Sequence, residues 1–113
     1  MTTNVALADV DESTFDARVL RAEMPVLVDF WATWCPSCYP MARVLEQVAA
    51  ERASIRIVKV NVDENPVVAA RYRVMATPTM MVFRAGEPVW SVVGARSKVR
   101  LDEDLDGVLR RAD

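Results

Sequence analysis

Two short runs of β-branched and aromatic residues, 25–31 and 55–62, flank a segment whose apolar residues recur at helical spacing. That alternation constrains the fold more than any other feature of the chain. Pro25-Val26-Leu27-Val28-Asp29-Phe30-Trp31 is short and almost wholly apolar, the pattern of a strand buried on both faces. Met41, Val44, Leu45, Val48 and Ala49 then fall at i, i+3, i+4, i+7 and i+8, one face of an α-helix reaching about Arg52. The run 55–62 reads as a second buried strand. Asp63-Glu64-Asn65-Pro66 is a turn, with Asn65 and Pro66 suited to the N-cap and first position of a short helix to about Tyr72. Segments 79–84 and 88–93 around Ala85-Gly86-Glu87 predict a β-hairpin, and Leu101, Leu105, Val108 and Leu109 a closing helix. Near the start, Ser13-Thr14-Phe15-Asp16 has the capping-box pattern, and Phe15, Val19 and Ala22 form the stripe of a helix that Met24-Pro25 ends. With a weak first strand, the order is β-α-β-α-β-α-β-β-α. It implies an α/β fold with a mixed sheet and helices on both faces.

The 113 residues show no repeat, low-complexity tract or linker, so residues 1–113 read as one domain. Fourteen Lys and Arg against sixteen Asp and Glu leave a net charge of −2, which offers no electrostatic footprint for nucleic acid or an anionic membrane. Residues 1–22 carry Asp9, Asp11, Glu12 and Asp16, without the basic start and apolar stretch of a signal peptide. The longest apolar run, 25–34, is interrupted by Asp29 and falls far short of the roughly 20 residues that span a bilayer. A cytoplasmic location is expected, and there a close cysteine pair serves redox or metal chemistry more often than it staples a fold.

The chain has no histidine and two cysteines. Ser-His-Asp and Cys-His nucleophile systems cannot be built, nor can a His-ligated zinc site. A closed zinc site needs four ligands where one chain supplies two, so no metal is expected. Cys35 and Cys38 fall where a buried strand gives way to an amphipathic helix. Pro36 fits the first helical position, which would put Cys35 at the N-cap, against unpaired N–H groups and the positive end of the helix dipole. Both favour thiolate, the attacking form in disulfide exchange. Cys35 is then the nucleophile and Cys38, one turn on, the resolving thiol. Two other readings stay open: a pair of small buried residues, or half of a metal site shared between two chains.

Val28-Asp29-Phe30-Trp31-Ala32-Thr33-Trp34-Cys35-x-x-Cys38 resembles the active-site segment of the thioredoxin family. The likeness continues through Val58-Lys59-Val60-Asn61-Val62-Asp63-Glu64-Asn65-Pro66, Thr77-Pro78-Thr79, Phe83-Arg84-Ala85-Gly86 and Val93-Gly94-Ala95. The resemblance implies the thioredoxin fold and protein-disulfide reduction through a mixed disulfide. It implies a cis bond before Pro78 beside the cysteines, and a client-docking surface of Trp34, Ala76, Thr77, Pro78, Gly94 and Ala95. Asp29 would lie beneath Cys38 and relay its proton, with Lys59 close by. No bound cofactor is implied. The partners implied are disulfide-containing client proteins and an NADPH-dependent thioredoxin reductase, and monomer is the default state.

The chain departs from the family pattern at three places. Pro36-Ser37 replaces the Gly-Pro between the cysteines of plain thioredoxins, where relatives are tuned from about −270 mV to about −120 mV. A Ser37 hydroxyl donating to the Cys35 thiolate would make the pair more oxidising, whereas Tyr39, replacing an often basic residue, acts against it. Arg43 replaces the family's kink proline, and Pro40 falls two past Cys38; with Cys35 as N-cap it would forfeit the bond to the Pro36 carbonyl and bend the helix near the site. Alternative functions are a more oxidising thiol oxidant or isomerase, and a non-catalytic binding module that keeps the fold.

Overall fold

The computed structural model describes residues 5–110. Its strands are β1 (Ala8–Asp9), β2 (Val26–Trp31), β3 (Arg56–Asn61), β4 (Thr79–Arg84) and β5 (Glu87–Val93). They form one sheet in the order β1-β3-β2-β4-β5. Central β2 runs parallel to β3 and antiparallel to β4, so the sheet is mixed as the element order implied. The weak first strand adds parallel to the outer side of β3, through Ala8 opposite Val58 and Asp9 opposite Lys59.

The described residues also form three α-helices: α1 (Cys38–Glu51), α2 (Pro66–Arg71) and α3 (Lys98–Arg110). Strand alternation divides β2 between two cores. Leu27 packs with Leu45 and Val48 of α1 and with Leu101 and Leu105 of α3. Val26, Val28 and Phe30 pack on the other side with Phe15, Val19, Val68 and Phe83. Cover on both faces explains why β2 is an unbroken apolar run except at Asp29. Each fully buried Leu or Phe contributes about 1.5–3 kcal/mol, so these clusters hold the sheet that carries the site. Beyond the apolar contact, α1 and α3 are joined at the C-terminal end of α1, where Arg52 bonds Asp102 at 3.2 Å and Asp106 at 2.8 Å, and Lys98 bonds Glu51 at 2.7 Å.

Three local expectations need correction. The capping box at Ser13–Asp16 does not form. Instead Asp11 Oδ1 accepts the backbone N–H groups of Ser13 and Thr14, at 2.9 and 3.0 Å. The residues that follow tighten into a single π-type turn, Asp16–Leu20, closed by the Arg21 N–H on the Asp16 carbonyl at 2.9 Å. Asp11 wins because its carboxylate is a stronger acceptor than a hydroxyl. Phe15 and Val19 are buried as the stripe required.

The active-site helix also starts later than expected. Ser37, not Cys35, is the N-cap, and Cys38 is the first helical residue. Proline explains the shift. Pro40 has no N–H to offer the Pro36 carbonyl, and Cys38 N–H takes the Cys35 carbonyl in a tight turn, so the i→i−4 ladder begins with Met41 N–H to the Ser37 carbonyl, at 3.3 Å. Pro40 therefore lies in the first turn, where N–H groups have no helical partner, and it forfeits nothing. The hairpin turn, finally, is the two residues Ala85 and Gly86, both with positive φ (52° and 80°), and Glu87 belongs to β5. At Gly86 a Cβ would come within 3.3 Å of the Leu20 carbonyl, so glycine also lets the turn sit against the π-type turn.

Candidate active site

The carboxyl end of β2 delivers the chain to the redox pair through two consecutive tight turns. Cys35 N–H bonds the Ala32 carbonyl at 3.2 Å, and Cys38 N–H bonds the Cys35 carbonyl at 3.2 Å. These turns bring the cysteines' Cα atoms to 5.4 Å, and a disulfide joins Cys35 to Cys38. Both are buried and pack with Ala32, against Trp31 and Val62.

Around Cys35 the structure gathers most of the residues the sequence singled out. The Ser37 hydroxyl is 3.6 Å from Cys35 Sγ. A disulfide sulfur carries no proton, so Ser37 is the donor in this state. The Thr77 carbonyl stands 3.5 Å from the same sulfur. The Thr77–Pro78 bond is cis. Gly94, at φ +95°, donates its N–H to the Pro78 carbonyl at 2.8 Å, which brings the loop after β5 beside the cis-proline segment. Arg96 N–H to Met41 Sδ, at 3.2 Å, holds the same loop against α1. Ala76 and Ala95 are exposed on the two segments so joined.

Trp34 is 66% exposed, with its indole edge fixed by Nε1 donating to Asp63 Oδ2 at 2.8 Å. Met75 and Val93 are also largely exposed, at 92% and 68%, and neither was among the expected docking residues. For Val93 a signal existed: it ends an alternating strand beside Gly94, where a solvent-facing position ordinarily carries a polar residue. Met75 follows a helix terminus, and no periodicity marks it.

Asp29 is buried in the middle of β2, and its Oδ1 has no hydrogen-bond partner among the described residues. Burial pushes its pKa up from 3.8 to about 7, an effect that the nearby Lys59 charge only partly offsets. Lys59 is its register neighbour on β3. Yet the ammonium turns outward, 3.8 Å from Asp9 Oδ1 and 5.1 Å from the centre of the Trp31 ring, so the acid is left without a direct ion pair. Trp31 and Lys59 border a cleft of about 400 Å³ that Asp9, Asp11 and Asn61 also line. Tyr39, exposed beside the pair, donates its phenol to the Thr33 carbonyl at 2.6 Å and sets its ring edge-on to Trp31.

The arrangement supports two-electron thiol–disulfide chemistry at an exposed edge. Comparison with known proteins agrees. The thioredoxin family model matches residues 6–107. A thioredoxin of Streptomyces clavuligerus is 48% identical over 95 residues, covering 84% of this chain and 89% of that protein. Thioredoxin 1 of a Nostoc strain is 46% identical over 102 residues, covering 89% of this chain and 95% of the relative. A bifunctional thioredoxin reductase/thioredoxin of Mycobacterium leprae is 45% identical over 102 residues, which are 89% of this chain and 22% of that longer protein.

Proposed function

The chain belongs to the thioredoxin family and is a dithiol protein-disulfide oxidoreductase, and on that premise we propose how its own residues run the cycle. Cys35 attacks as thiolate, forming a bond from its Sγ to one client sulfur while the other client sulfur leaves as thiolate. Cys38 then gives up its proton to the Asp29 carboxylate and attacks Cys35 Sγ. This closes the disulfide and expels the second client sulfur as thiolate; the two client thiolates take up one proton from Asp29 and one from water. An acid with a pKa of about 7 is suited to this relay, since it both accepts and returns a proton near neutral pH.

The docking role of Trp34, Ala76, Thr77, Pro78, Gly94 and Ala95 is supported by their convergence on Cys35. Thr77 makes no backbone–backbone hydrogen bond among the described residues, so a client strand can pair there during attack. The single observation that carries the reading is the Thr77 carbonyl 3.5 Å from Cys35 Sγ at this edge. Electrons return from an NADPH-dependent thioredoxin reductase. The M. leprae relative is named for both activities in one protein. The dithiol must be kept reduced, which suits the cytoplasm. No helix among the described residues is long and apolar enough to cross a membrane. The chain works as one domain and a monomer, since a single sheet carries both redox and docking segments.

The test is insulin-disulfide reduction with NADPH and reductase, beside Cys35→Ser. Reduction by the wild type and its loss in the variant support the proposal. Turnover with dithiothreitol alone would assign a different electron donor. A Cys35→Ser protein as active as wild type would refute the assigned nucleophile.

A further inference from the structure

Arg73 occupies a backbone position that ordinarily goes to glycine. Helix α2 ends with the Val74 N–H on the Ala69 carbonyl at 2.9 Å and the Arg73 N–H on the Ala70 carbonyl at 3.1 Å, the paired bonds of a Schellman terminus. Arg73 therefore takes φ +57°, where a Cβ crowds the backbone and residues other than glycine are disfavoured. Such strain concentrates where a side chain serves function. The fold makes no use of this one: Arg73 is exposed, and its guanidinium has no ion pair or hydrogen bond among the described residues.

The arginine lines a groove of about 570 Å³ with Val62, Ala69, Val74 and the exposed Met75, and every other lining residue is uncharged. Val62 also packs against the cluster of Ala32, Cys35 and Cys38, so the groove abuts the redox pair. Four residues take the chain from Arg73 to Thr77, at most about 14 Å of extended backbone. Asp63, the acid that follows Val62 of the groove in sequence, is held by the Trp34 indole. An apolar trough with one unpaired cation matches an apolar side chain next to a carboxylate.

We propose that Arg73 selects clients that carry a carboxylate within about four residues of the attacked cysteine, the groove seating the neighbouring apolar side chain and Arg73 taking the carboxylate. The inference rests on the reading above that Cys35 attacks client disulfides beside Thr77. It makes the strained arginine a specificity residue.

Nine-residue peptides with a central cysteine joined to thionitrobenzoate test it. They carry Leu with Glu, Gln or Lys at three and four positions from the cysteine. Attack by reduced Cys35 forms a bond to the peptide sulfur and expels thionitrobenzoate, whose colour reports the second-order rate. The wild type is expected to prefer Glu over Gln peptides by about two- to fivefold at low salt, and Lys peptides are slowest. The preference should fade at 0.5 M NaCl, where the Debye length is only about 4 Å. Arg73→Gly should bring the Glu/Gln ratio to about one, while Arg73→Lys retains a ratio above one. Relief of the positive-φ strain should leave Arg73→Gly with a Tm no lower than wild type, so a lost preference cannot be ascribed to misfolding. An unchanged ratio in Arg73→Gly, or a wild-type ratio of one with Gln peptides still attacked, overturns the inference alone. If the Gln peptide releases no more thionitrobenzoate with wild type than with Cys35→Ser, the nucleophile assignment falls with it.

Discussion

The phenol of Tyr39 donates to the carbonyl of Thr33 at 2.6 Å, tying the first turn of α1 back to the loop that precedes Cys35. The cysteines lie between these two residues, so this bond closes the redox loop from outside. The edge-on contact with Trp31, at 6.4 Å between ring centres, keeps the phenol aimed at its acceptor.

Tyr39→Phe removes the hydroxyl and leaves the ring. The Thr33 carbonyl is exposed and water can replace the donor, so the stability loss should be small, about 0.5–1 kcal/mol. The larger effect falls on the loop. Among the described residues Cys35 N–H is held by the turn to Ala32 alone, and its hydrogen exchange should accelerate severalfold in the variant. Client turnover should fall about two- to threefold through looser placement of Cys35. Exchange at Trp34 and Cys35 indistinguishable from wild type would show that the bond constrains nothing.

Ser37→Ala tests the hydroxyl 3.6 Å from Cys35 Sγ. In the reduced protein that hydroxyl can donate to a thiolate, whereas in the disulfide it faces a weak neutral acceptor. The interaction therefore favours the reduced form. Its removal should raise the Cys35 thiol pKa and make the potential more negative. A bond worth about 1 kcal/mol corresponds to roughly 20 mV, since 30 mV is about 1.4 kcal/mol for this two-electron couple. Equilibration with glutathione measures the shift, and a potential that moves the other way removes Ser37 from the tuning of the pair.

The sequence showed the sheet and the redox pair plainly, because both follow from short-range rules. Alternating apolar runs sort Leu27 and Val28 to opposite cores, and a dithiol at a strand-to-helix junction has few other uses. The start of α1 was misjudged for a different reason. Pro36 suits a first helical position, but Pro40 blocks the ladder from reaching back to it, and deciding between two prolines four residues apart needs the actual hydrogen bonds. Arg73 was hidden because φ depends on how α2 terminates, and an arginine in the left-handed region carries no sequence mark. Lys59 falls opposite Asp29 in the strand register, yet its long side chain reaches a better-hydrated partner, Asp9, at the surface, and no backbone rule foretells that turn.

Asp29 gives a pH-dependent prediction whose sign follows from burial. Its folded pKa, about 7, lies above the unfolded value of 3.8. Between those values the unfolded chain releases the proton and the native protein keeps it. Stability therefore falls as pH rises through this window, and the penalty is complete above about pH 7. At 1.36 kcal/mol per unit the full cost is on the order of 4 kcal/mol. Asp29→Asn, neutral at every pH, should be more stable than wild type at pH 8 by up to that amount and nearly equal to it at pH 3. The same variant cannot accept the Cys38 proton, so release of the client from its mixed disulfide should slow at neutral pH, with the first attack by Cys35 much less affected. Urea denaturation at the two pH values tests the first half, and single-turnover kinetics between pH 6 and 8 the second. A stability gain with unchanged release would make Asp29 a buried acid with no part in the relay. Slowed release at all pH values alike would mean that the variant disturbs the site and not its proton transfer.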